Sequence, residues 1–253
     1  WNNETCIGCN KCSYVCPHGT IRTFLLTDEE VANAPENIAN DVLKPLGKGV
    51  EGLQYRVQVS PDNCVGCGLC VTECPGMRGA KALEMVDVNA KLDQVPLADY
   101  LYKEVPYKTE FASANNIKES QFYMPYFEIS GACPGCGETP YIKLLTQLFG
   151  ENMIVANATG CSSIYGASTP SMPYSIPWAN SLFEDNAEFG FGIHMSYKNT
   201  RDRLVKLMYK YKDSVSPVVK ETFREWIDNM DDDEKAMLKT NANTSILFKF
   251  FFI

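Results

Sequence analysis

Asn3-Glu4-Thr5-Cys6-Ile7-Gly8-Cys9-Asn10-Lys11-Cys12-Ser13-Tyr14-Val15-Cys16-Pro17 is echoed further along the chain by Pro61-Asp62-Asn63-Cys64-Val65-Gly66-Cys67-Gly68-Leu69-Cys70-Val71-Thr72-Glu73-Cys74-Pro75. Both runs have the form Cys-x2-Cys-x2-Cys-x3-Cys-Pro. Three thiolates on one tight turn grip three corners of an iron–sulfur cube. The fourth, on the outgoing segment, points away and ligates the other cluster. The spacing therefore pairs Cys6, Cys9 and Cys12 with Cys74, and Cys64, Cys67 and Cys70 with Cys16. Gly8, Gly66 and Gly68 let the turns wrap a cube and aim amide N–H groups at its sulfurs. Pro17 and Pro75 fix the chain as it leaves. A pair of zinc sites is the competing reading, but structural zinc takes two well-separated Cys-x-x-Cys pairs rather than four cysteines packed into one short run. His18, next to Pro17, is read as a packing residue.

Working outward, each run is followed by a candidate strand, Ile21–Leu26 after the first and residues 82–88 after the second. Between the halves lie a polar, helix-compatible stretch at 28–43, a Gly-rich turn, and an alternating strand at 53–59. Residues 5–17 and 63–75 resemble the bacterial two-cluster ferredoxins at every motif position, which implies one-electron transfer at low potential. Cluster potentials span about −700 to +450 mV, so the motif leaves the value open. Residues 1–89 are thus expected to form an α+β bacterial-ferredoxin-like domain with an insertion between its halves. Residues 90–128, punctuated by Pro96, Pro106 and Pro125, read as a surface linker.

The remaining three of the eleven cysteines fall in 129–253. Cys133-Pro134-Gly135-Cys136-Gly137-Glu138 precedes a helix signal, with Thr139 as N-cap and Pro140 at the first helical position. Ile142, Leu145 and Phe149 make one apolar face, and Gly150 is the stop. Such a helix runs away by about 15 Å at 1.5 Å per residue. A strand at 153–156 returns by about 13 Å. The loop 157–161 should bring Cys161 beside Cys133 and Cys136, at the carboxyl end of a strand, where α/β folds place ligands. Three thiolates are one short of a [4Fe–4S] site. The residues alone leave a cluster, a zinc site and a bare structural site open.

Further along, 168–180 reads as loop, and 201–212 and 218–229 as helices. Asp231-Asp232-Asp233-Glu234 reads as a solvated helix start rather than a cation site. A net charge of −8 argues against nucleic acid and anionic membranes. No stretch is apolar enough to span a bilayer. Thiols spaced for metal fit a reducing, cytoplasmic compartment, or a hydrogenosome should the source be an anaerobic protist. The chain opens at Trp1, just before the first motif, and closes on Phe-Lys-Phe-Phe-Phe-Ile. It reads as a piece of something longer.

Ser130–Tyr141, Ala156–Ile164 and Trp178–Gly190 resemble the pyruvate:ferredoxin oxidoreductase family. So does the order of a two-cluster ferredoxin domain followed by a thiamine diphosphate domain. The resemblance implies that 129–253 is part of an α/β thiamine diphosphate-binding domain. It implies that Cys133, Cys136 and Cys161 hold a third [4Fe–4S] cluster whose fourth ligand lies outside this chain, and that Glu138 and Cys161 lie against thiamine diphosphate. It further implies oxidative decarboxylation of pyruvate with coenzyme A as acyl acceptor, ferredoxin or flavodoxin as electron acceptor, and a homodimer. The Gly-Asp-Gly…Asn motif for Mg²⁺ and the diphosphate is missing from this sequence, so the Mg²⁺ site is expected mostly elsewhere. No catalytic residue is assigned here, and this chain alone is expected not to turn over pyruvate. Thr244–Ile253 resembles nothing in the family. The alternatives are a stand-alone ferredoxin-like carrier, for which the Cys133 group has no use, and an oxidoreductase for another 2-oxoacid.

Overall fold

A computed structural model describes residues 1–36, 38–45, 47, 49–167, 176 and 178–231. Most of the loop expected at 168–180, the acidic positions 232–234 and the tail 244–253 lie outside them. The chain divides into two compact units, Trp1–Asn180 and Ser181–Ile253.

The first unit is built on the repeat. Helix α1 (Lys11–Val15) is followed by strand β1 (Ile21–Leu26), short helix α2 (Asp28–Ala32) and strand β2 (Gln54–Val59). Helix α3 (Leu69–Glu73) repeats α1. β1 and β2 pair antiparallel, from Ile21 opposite Val59 to Leu26 opposite Gln54. Helical structure between the halves stops at Ala32. Thr27 and Glu30 form a reciprocal capping box at its start, but Pro35 cannot continue a helix.

A two-stranded ribbon is marginal unless its faces are covered, and here both are. Ile21, Leu25, Tyr55 and Val57 face the motif turns and pack with Cys16, Leu83 and Phe122. On the other face Phe24 and Leu26 pack against Ile38, Leu97, Leu101 and Val105. The last three come from the segment expected as a surface linker. It folds instead as helix α4 (Val95–Lys103) with Leu101 fully buried, and later as α5 (Ile117–Ser120). Polar ties hold this wrap in place. Lys108 pairs with Glu30 at 2.7 Å, and Tyr102 donates to the carbonyls of Thr20 and Gln58 at 2.9 and 3.1 Å. Residues 82–88 are not a strand. The Ala82 N–H points at the Cys74 sulfur (3.3 Å) and its carbonyl accepts from Asn2, so the backbone there is committed to the motif turn instead of a ladder.

Helix α6 (Thr139–Phe149), strand β3 (Val155–Ala158), helix α7 (Cys161–Ala167) and strand β4 (Trp178–Ser181) follow, with β3 paired to β4. The strand lies two residues later than expected, and Glu138 rather than Thr139 occupies the N-cap position of α6. The second unit contains α8 (Asn186–Tyr211), which begins well before the expected 201, and α9 (Pro217–Asp228), capped by Ser216. Its core is Met208, Val219 and Phe223. Among the described residues no helix is long and apolar enough to cross a membrane.

Candidate iron–sulfur centres

The two motif turns have matching backbones. Asn10 and Gly68, immediately before α1 and α3, both sit in the left-handed region (φ 60° and 77°). Cys16 and Cys74, immediately after them, share one extended geometry (φ −68°, ψ 115° and φ −69°, ψ 115°). A left-handed Asn is unusual, and its side chain is anchored. Its amide donates to the Lys118 carbonyl at 2.7 Å and its oxygen accepts from the Tyr55 hydroxyl at 2.9 Å. After Cys74 the chain turns at Gly76 (φ 57°), where any Cβ would stand 1.8 Å from the Ala80 carbonyl oxygen, so only glycine fits.

Cys6, Cys9 and Cys12 line one cavity together with Cys74 from the other half, closed by Trp1, Tyr55 and Leu83. On the other side Cys70 feels the charges of Cys16, Cys64 and Cys67. The cavity thus brings Cys74 from the second repeat to the first three cysteines of the first. Burial, then the like charges of Cys6 and Cys9, push the Cys12 thiol far up. Burial, then Cys16 and Cys64, push Cys70 up to about 11. Iron removes this penalty, because bound thiolates share the metal's positive charge. Amides already point at the sulfurs, Gly8 N–H toward Cys6 (3.4 Å) and Ala82 N–H toward Cys74 (3.3 Å). The donor set therefore fits two cubane clusters. Among the described residues no three His, Cys, Asp or Glu side chains converge as ligands of a single metal ion.

Cys16 differs from its counterpart. Burial opposes its ionisation, yet its thiol is held below the usual range by the Lys143 charge, the Thr20 hydroxyl (3.5 Å) and the amides of His18 and Ile21. His18 does more than fill space. Its Nε2 lies 2.9 Å from the Ala132 carbonyl and its own carbonyl accepts from Ile129 N–H at 2.7 Å, so it binds the segment leading into Cys133.

Near the third cysteine group stands an aromatic residue that the sequence reading missed. Tyr165 is buried, and its phenol is raised well above the usual range by burial, then by Glu138, with smaller contributions from Cys136 and Cys161. Glu138 is its hydrogen-bonding neighbour, and Cys136 and Cys161 lie near enough to act on it through their charge. Cys136 N–H donates to the Cys133 carbonyl at 3.0 Å, closing the turn between those two cysteines. The signal was available, since Tyr165 stands four residues after Cys161 on the same helical face. Phe127 and Trp178 back it, with ring centroids 5.8 and 5.7 Å apart in the Phe127–Tyr165 and Phe127–Trp178 pairs. Desolvation opposes ionisation of Cys136, but the amides of Glu138 and Thr139 and the Thr139 hydroxyl draw its thiol below the usual range. The turn at Gly135 comes close to Cys67, whose Cβ lies 3.9 Å from where a Gly135 Cβ would be. The Cys133–Cys136 turn thus borders the Cys64-containing half.

Helix α6 lies the other way round from the expectation. Leu145 and Phe149 are exposed (44% and 57%), while Thr139, Lys143, Thr146 and Gln147 are buried. Polar partners explain the reversal. Lys143 donates to the Ser13 carbonyl, Gln147 Nε2 to the Tyr123 carbonyl (2.9 Å), and Tyr126 N–H to Thr146 Oγ1 (3.1 Å). A buried polar face costs little when its groups are paired.

Residues 5–76 match the family described as a 4Fe-4S dicluster domain. The chain is 45% identical over 246 residues, 93% of its length, to the pyruvate:ferredoxin oxidoreductase of Moorella thermoacetica, and covers 20% of that protein. It is 43% identical over 242 residues to the pyruvate-flavodoxin oxidoreductase of Klebsiella pneumoniae, covering 92% of this chain and 20% of that one. It is 48% identical over 212 residues to a mitochondrial NADP-dependent pyruvate dehydrogenase of Euglena gracilis, covering 81% of this chain and 11% of that one. By this similarity along nearly its whole length, the chain is placed in the pyruvate:ferredoxin and pyruvate-flavodoxin oxidoreductase family, as a segment spanning about a fifth of the length of those two bacterial relatives.

Proposed function

We propose that this chain is the electron-relay and partial cofactor-binding segment of an enzyme that oxidatively decarboxylates pyruvate to acetyl-CoA and carbon dioxide, with ferredoxin or flavodoxin as acceptor. The observation that carries the reading is the single cavity lined by Cys6, Cys9 and Cys12 from one repeat and Cys74 from the other. In this reading Cys6, Cys9, Cys12 and Cys74 hold one [4Fe–4S] cluster, and Cys16, Cys64, Cys67 and Cys70 the second. Cys133, Cys136 and Cys161 supply three ligands of a third, and its fourth comes from outside this chain. Each cluster, when bound, supplies one-electron chemistry. The chain's own residues hold the clusters, shield them and set their spacing.

Glu138 and Cys161 are the residues proposed to border thiamine diphosphate, the group that supplies carbanion stabilisation in decarboxylation of a 2-oxoacid. Their shared electrostatic effect on Tyr165 supports this, as does the family placement. The approach of the Gly135 turn to Cys67 supports an order in which electrons from the third group reach the Cys64 half first. Mg²⁺, coenzyme A and a dimer partner belong to the whole protein.

The test is anaerobic reconstitution with a count of iron and acid-labile sulfide per chain. About eight of each is expected, two cubes with the Cys133 group awaiting its ligand. About twelve would mean that the third cluster assembles within this chain. Zinc bound in preference to iron, with no sulfide, would overturn the relay. In the full-length protein, pyruvate and coenzyme A should bleach the cluster absorbance anaerobically, and failure to do so would overturn the choice of substrate.

A further inference from the structure

Lys143 is 2% exposed, and it enters the ferredoxin-like module from α6. Its ammonium donates to the Ser13 carbonyl, the same oxygen that accepts the Cys16 N–H at 3.3 Å. A second acceptor, Gln121 Oε1, lies 3.4 Å away and also accepts from the Ser13 hydroxyl at 3.0 Å. Gln121 in turn donates to Gln147 Oε1 at 3.1 Å, so the cation is held in a fixed, neutral cradle. Among the described residues no carboxylate forms an ion pair with it. The candidate is Glu128, whose Cβ and the Lys143 Cδ flank the same glycine, Gly19, but Glu128 is engaged by Arg22.

A buried ammonium without an ionic partner is unfavourable, so a counter-charge is expected. The Ser13 carbonyl that holds the ammonium lies between Cys12 and Cys16 in the chain, so the nearest candidates are the clusters those two cysteines are proposed to hold. Cys12, within α1, and Cys16, the residue that ends it, belong to different proposed clusters.

We propose that Lys143 is a built-in counter-charge for the relay: its fixed ammonium raises the reduction potential of the cluster held by Cys16, Cys64, Cys67 and Cys70, and to a lesser degree that of its neighbour. The inference rests on the ligand assignment given above. An electron arriving at a cluster adds one negative charge, and net charge nearby is among the terms that set cluster potentials. The same side chain fastens the helix that follows the Cys133–Cys136 turn to the module that receives its electrons. Position and potential of the relay are thus set by one residue.

The test is an EPR-monitored redox titration of the anaerobically purified, cluster-loaded full-length protein. Lys143→Met should lower the midpoint of one ferredoxin-type cluster most, by about a tenfold change in its reduction equilibrium, which is about 59 mV for one electron. The second should move less and the third least. Lys143→Arg should restore much of the shift. Gln121→Glu, which sets a carboxylate 3.4 Å from the ammonium, should shift the same cluster in the same direction. It decides the matter if Lys143→Met does not fold. Unchanged midpoints in fully loaded variants overturn the proposal, as does an equal shift of all clusters, which marks a structural role only. Absence of clusters from the wild-type protein would instead overturn the relay reading itself.

Discussion

Cys16 and Cys74 share a backbone geometry to within a degree but not an environment. Cys16 is buried beside Thr20 and Lys143, whereas Cys74 accepts an amide from Ala82 at the edge of the module. The crossed assignment makes a specific demand on each. Cys16→Ala should remove about four irons per chain. Adding Cys64→Ala should then remove no more, while adding Cys9→Ala should remove the remaining four or so. If Cys9→Ala is the silent addition, the ligands are uncrossed and the assignment is wrong. The eight motif cysteines were readable because their spacing is local and repeats. Tyr165 was not, although it lies one turn beyond Cys161, because a buried phenol reads as core until its neighbours are known.

At the scale of elements, the sequence was a good guide to existence and a poor one to facing. β1, β2 and α9 fall within a residue of expectation because alternation and a Ser-Pro start are strong local signals. α6 exists where Pro140 and Gly150 place it, yet it turns its polar side inward. Hydrophobic periodicity assumes an apolar partner, and here the partner is a ring of carbonyls and glutamine amides. α4 was missed because its Pro96 was taken as a break, whereas proline within the first turn of a helix costs nothing. That correction has a measurable consequence. Leu101→Ala should lower the stability of the cluster-loaded chain by about 2–5 kcal/mol, because Leu101 is fully buried under Phe24 and Leu26. A change in the denaturation midpoint no larger than that of a surface substitution would return 90–128 to the status of a linker.

Over the whole molecule, burial is uneven. In the first unit β1 is buried at all six positions, while among the described residues of the second unit only Met208, Val219, Thr222 and Phe223 are buried and the early turns of α8 are largely exposed. Local opening follows burial. Amides of β1 and β2 should therefore be the slowest to exchange with deuterium, and those of 186–200 among the fastest of the helical ones. Comparable protection in both would contradict this distribution of the core. The exchange of fourth ligands between the repeats reaches further than electron transfer. Each cube, under the proposed assignment, rivets a residue near the chain's start to one beyond β2, so neither half of the module is a self-sufficient holder. Oxidative loss of one cube would free a strut of the other's cage. Under oxygen the second cube should then stay in place at first but be lost faster than the first, once its neighbour's site has emptied.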